Sequence, residues 1–71
     1  MKTILRINGM MCGMCESHIN DAIRKNFSVK KVKSSKRKNQ TVIVSDEVLD
    51  EEKIRQIIKE TGYELVGIER E

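Results

Sequence analysis

A chain of 71 residues holds one domain, spanning 1–71, and lies near the lower limit of what folds alone, so a catalytic pocket would need a partner to complete it. With 38% hydrophobic and 35% charged residues it can build one modest core under a well-solvated surface, and no stretch approaches the roughly eighteen apolar residues of a membrane-spanning helix. The net charge of +3 is mild and segregated, with Lys30, Lys31, Lys33, Lys36, Arg37 and Lys38 in one stretch and Asp46, Glu47, Asp50, Glu51 and Glu52 in another, which makes a dipolar surface.

The chain opens on a strand. Residues 3–7 have β-rich composition and alternate, placing Leu5 and Ile7 on one face and Ile4 and Arg6 on the other. From Cys15 onward the period changes, because Ile19, Ala22, Ile23 and Phe27 recur at helical spacing between polar residues. Residues 29–34 and 41–45 then read as a hairpin around the polar turn 36–40. The second helix carries end signals: Asp50 caps it, Glu51 and Glu52 suit its positive end, and Leu49 staples onto Ile54. Ile54, Ile57 and Ile58 form its buried stripe, Gly62 stops it, and residues 63–68 supply a last strand. The order β-α-β-β-α-β predicts a ferredoxin-like α+β fold, a four-stranded antiparallel sheet with two helices on one face.

Between the first strand and the first helix lies Asn8-Gly9-Met10-Met11-Cys12-Gly13-Met14-Cys15, which holds both cysteines of the chain at C-x-x-C spacing. Structural zinc sites, disulfide oxidoreductases and metal carriers all use this spacing, so the surroundings must discriminate. Gly9 and Gly13 mark the segment as a loop, which argues against cysteines that merely fill a core. A bridge between Cys12 and Cys15 would close too small a loop to staple the fold, and a reducing compartment suits the pair better. Cys15 stands where helix N-terminal amides favour negative charge. Two exposed thiolates match a soft ion that tolerates low coordination, which favours Cu(I). A closed structural zinc site cannot be built within one copy from two Cys and one His, although Zn(II) completed by water or a carboxylate stays open, as does Hg(II). Met11, not an acidic residue, precedes Cys12 and removes the nearest hard ligand. Thioredoxin-type chemistry relies on a proline facing the motif, and the chain has none.

The run from Gly9 to Cys15 resembles the G-M-x-C-x-x-C motif of the heavy-metal-associated domain, found in bacterial cytosolic copper chaperones and in the N-terminal domains of copper-transporting P-type ATPases. The resemblance extends over essentially the whole chain, through Val29, the strand with Val42 and Val44, and Gly62-Tyr63. It implies that Cys12 and Cys15 ligate Cu(I), that Met10 tucks into the core to brace the loop, and that Tyr63 lies near the site. It also implies transfer of Cu(I) by stepwise thiolate exchange to a P-type ATPase or another acceptor in a bacterial cytoplasm, with no enzymatic reaction. Met1 opening the first strand almost at once, and the charged end Glu69-Arg70-Glu71, favour a free-standing chaperone over a domain excised from a transporter. The chain departs from the family pattern at Ser28, where glycine is usual, and at Ser34, where an apolar residue is common; both are expected to weaken the sheet edge.

Secondary features receive plainer readings. His18 shares a helix face with Cys15, yet it borders the Ile19/Ala22 stripe and reads as a partly buried boundary residue rather than a ligand. Met14 reads as an exposed loop thioether. The basic stretch has no interleaved aromatics, which argues against nucleic acid and leaves steering toward an acidic partner as its use. Alternation places Ile4, Ile43, Val66 and Ile68 together on the sheet face away from the helices, a surface for self-association that would compete with a homodimer bridged by metal.

Overall fold

The computed structural model describes residues 1–10 and 13–71. They form β1 (Lys2–Asn8), α1 (Gly13–Asn26), β2 (Lys31–Ser35), β3 (Gln40–Val44), α2 (Glu51–Thr61) and β4 (Glu64–Arg70). The strands make one antiparallel sheet in the order β2-β3-β1-β4, with both helices packed on one face, as the element order predicts. β1 is a central strand, so the cysteine loop leaves from the middle of the sheet. No described helix is long and apolar enough to cross a membrane.

Strand alternation builds the core. Thr3, Leu5 and Ile7 of β1, Val32 and Ser34 of β2, and Thr41 and Ile43 of β3 are buried beneath Ile19 and Ile23 of α1 and Ile54, Ile57 and Ile58 of α2. The ends of α2 are set by local chemistry. The Asp50 carboxylate accepts hydrogen bonds from the backbone N–H groups of Glu52 at 2.9 Å and Lys53 at 3.4 Å. Gly62, at φ 89°, takes the left-handed turn that ends the helix, and its N–H donates to the Lys59 carbonyl at 3.1 Å. Leu49, just before the cap, is buried in the same cluster as Ile54, as the staple requires.

The structure corrects the expected outer sheet face. Thr3 pairs with Ile43 and Leu5 with Ile68, so Ile43 and Ile68 face the helices; Ile43 is fully buried and Ile68 packs against the core. The outer face instead presents Ile4, Val42 and Val44, which alternate with those core positions. Val66 is 60% exposed, beside a register shift in the β1–β4 ladder between Arg6 and Ile7 that breaks simple alternation along β4. Val29 precedes β2 rather than lying in it, half-buried against the core.

Ser34, expected to weaken the sheet edge, has its buried hydroxyl fully partnered. It is 7% exposed, its hydroxyl donates to Asn20 Oδ1 at 2.7 Å, and its oxygen lies 2.8 Å from Thr41 Oγ1. With its own proton committed to Asn20, Ser34 accepts from Thr41, so the buried polar chain is satisfied from α1 through β2 to β3. Among the described residues no buried side-chain nitrogen or oxygen lacks a partner.

Candidate metal centre

The loop is anchored at both ends. After β1, Gly9 adopts φ 102°, and a Cβ added there would stand 3.2 Å from Tyr63 Cδ1, so the tyrosine ring closes on the loop backbone itself. Met10 then inserts into the core at 5% exposure, in contact with the same apolar cluster as Leu5, Ile7 and the helices. Both placements agree with what the family resemblance implies for Met10 and Tyr63. On the far side, α1 begins at Gly13, two residues before the apolar periodicity shows it, because a first helical turn needs no buried stripe.

Cys15 consequently sits in the first turn of α1, half-buried and packed against the core. Cys12, the other expected ligand, lies outside the described residues, as does Met11. Among the described residues no three or more His, Cys, Asp or Glu side chains gather into a metal-holding group.

His18 differs from expectation. It is exposed rather than partly buried, and it stands edge-on to Tyr63 with ring centroids 6.3 Å apart at an interplanar angle of 76°. The helix turns its stripe of Ile19 and Ile23 onto the sheet, and position 18 falls just beyond that stripe, toward α2. Met14 is an exposed thioether as read, at 82% exposure, but it lies on the helix and not in a loop.

Two contacts near the centre are not evident from the sequence. The Glu16 carboxylate accepts from the backbone N–H of Lys36 at 2.8 Å, tying the first turn of α1 to the β2–β3 turn. Tyr63 bridges Gly9 and His18, which are nine positions apart in the chain. Neither leaves a local pattern, since each joins segments brought together only by folding.

Residues 4–64 match the heavy-metal-associated domain. The copper chaperone CopZ of Enterococcus hirae is 35% identical over 65 residues, covering 90% of this chain and 94% of that protein. The yeast copper transporter domain Ccc2a, solved in apo and Cu(I)-loaded states, superposes with a TM-score of 0.83 at 29% identity, covering 97% of this chain and 94% of that one. The N-terminal domain of ZntA in its Zn(II) form gives a TM-score of 0.79 at 20% identity over 90% of this chain and 86% of that one, a likeness of fold alone. With the motif, the ferredoxin-like sheet and these matches together, the chain belongs to the heavy-metal-associated domain family.

Proposed function

We propose that this domain carries Cu(I) on the thiolates of Cys12 and Cys15 and hands it to an acceptor protein by ligand exchange. The observation that carries the reading is Cys15 in the first turn of α1, half-buried beside a loop pinned by Met10 and Gly9, within a C-x-x-C motif whose neighbours are soft or small. A two-thiolate site favours the soft monovalent ion over Zn(II), which prefers a fuller tetrahedral set, and Hg(II) is the other ion that such a pair accepts. Kinship with a copper chaperone supports a carrier in the cytoplasm, not an enzyme. The acceptor that fits is a copper-transporting P-type ATPase or another protein with an accessible thiolate pair, because exchange needs matching ligands on both sides. The likeness to a domain of a yeast copper transporter supports a second setting, in which the same chemistry operates within a transporter.

Anaerobic titration with Cu(I), Zn(II) and Hg(II), read by native mass spectrometry, tests the reading. One tightly held Cu(I) per chain is expected, lost in both Cys12→Ser and Cys15→Ser while circular dichroism stays that of a folded protein. Retention of one equivalent against a competing chelator in either variant would overturn the two-thiolate site.

A further inference from the structure

α1 meets the sheet along two parallel seams. The apolar seam buries Ile19 and Ile23 completely and packs Cys15, Ala22 and Phe27 against the core in part, so the helix is least enclosed at its first turn, where Gly13 and Met14 are exposed. Beside it runs a polar seam directed at β2 and the turn that follows. Glu16 accepts from the Lys36 backbone N–H at 2.8 Å, and Asn20, one turn further on, accepts from the Ser34 hydroxyl at 2.7 Å. Residues four apart share a helix face, so the two contacts act from the same side. The second continues into β3 through Thr41, which anchors it in the core.

The seam matters because Glu16 adjoins Cys15. Side-chain tips ride about 5 Å from a helix axis, so a roll of about 10–20° would carry a sulfur about 1–2 Å. A functional constellation needs its groups held to about 0.5 Å. A short hydrogen bond does not survive such a shift, so the Glu16 contact adds a directional restraint at the first turn to the packing further along the helix. We propose that Glu16, supported by Asn20, is a positioning residue for the metal pair: its bond to the β2–β3 turn fixes the roll of α1 and thereby the direction of Cys15. This rests on Cys12 and Cys15 being the ligands. The carboxylate is useful as an acceptor and not as a charge, since a negative group beside two thiolates sharing one monovalent cation is repelled by the site's net charge.

Glutamine keeps the acceptor and removes the charge, which makes the proposal testable. Wild type, Glu16→Gln, Glu16→Ala and Asn20→Ala are loaded anaerobically with one equivalent of Cu(I), and the rate at which excess bicinchoninate strips the ion is followed. Thermal unfolding of the metal-free forms fixes a temperature at which every variant is fully folded. Glu16→Ala is expected to release Cu(I) about tenfold faster, Asn20→Ala faster by a smaller factor, and Glu16→Gln within about twofold of wild type. Glu16→Gln behaving like Glu16→Ala would make the effect one of charge and overturn the proposal, as would release from Glu16→Ala at the wild-type rate. Failure of wild type to take up one equivalent is a separate outcome, which overturns the two-thiolate reading and this proposal with it.

Discussion

At Gly9 the demands of the backbone and of a side chain coincide. Its φ of 102° disfavours any L side chain, and a Cβ there would press on Tyr63 Cδ1 at 3.2 Å. Gly9→Ala is expected to cost about 1–3 kcal/mol. In a domain of this size each kcal/mol lowers the melting midpoint by about 4–8 °C, so a calorimetric scan with an unchanged midpoint would remove the tyrosine packing from the account. His18 lies a helical turn beyond Cys15 and contacts Tyr63, which is a structural occupation for its ring. His18→Ala is therefore expected to change Cu(I) affinity by less than tenfold, about 1.4 kcal/mol, in a chelator competition; a larger loss would make the imidazole a ligand.

The elements differ in how they are held. α2 is defined by its own ends, and Asp50→Ala removes the acceptor for two helix N–H groups at a cost of about 1 kcal/mol. Urea unfolding should show this as a lower midpoint with an unchanged slope, because the surface exposed on unfolding stays the same. α1 is held to the sheet by tertiary contacts, the apolar seam of Ile19 and Ile23 and the polar seam of Glu16 and Asn20. For β3 the two faces are expected to respond oppositely. Ile43→Lys places a charge at a fully buried position and should prevent folding, while Val42→Lys, on the outer face, should leave circular dichroism unchanged.

At the scale of the whole molecule, the core of Leu5, Ile7, Met10, Ile19, Ile23, Ile43, Ile54 and Ile58 is built by the chain alone. The metal-free protein is expected to be folded, unlike a zinc finger, and a random-coil circular dichroism spectrum without metal would refute this. Assembly is expected to follow the metal. The outer sheet face offers Ile4, Val42 and Val44, but Lys2, Lys31 and Lys33 border it together with Glu69 and Glu71, which pair with Arg6 and Lys2, so it is a charged, solvated face and not an apolar patch. A Cu(I) held by two thiolates can accept more from a second copy. Sedimentation should show monomers without metal and dimers with Cu(I); dimers that persist in Cys15→Ser would assign association to another surface.

The order of the elements, the ends of α2, the inward face of β1 and the cysteine motif were legible because each rests on local periodicity or turn chemistry: Leu5 and Ile7 recur at period two around Arg6, Asp50 and Gly62 act within one turn, and Cys12 and Cys15 are three positions apart. The rest depended on how distant segments meet. Val42, Ile43 and Val44 are all β-branched, so the run carries no polarity, and only the pairing of Thr3 with Ile43 sends the middle residue inward. The register shift beside β4 likewise displaced the phase of Val66 and Ile68 from simple alternation. Ser34 looked like a defect because a lone serine in a strand shows no partner; Thr41 reaches it once β2 and β3 pair, and Asn20 only after the helix has packed on the sheet. The same holds for Glu16 on the Lys36 amide and for Tyr63 against Gly9 and His18. The C-x-x-C spacing belongs to the sequence, since a short motif is local; the seat of Cys15, packed against the core in the first turn of α1, belongs to the tertiary structure, since what a helix packs against is set by distant segments.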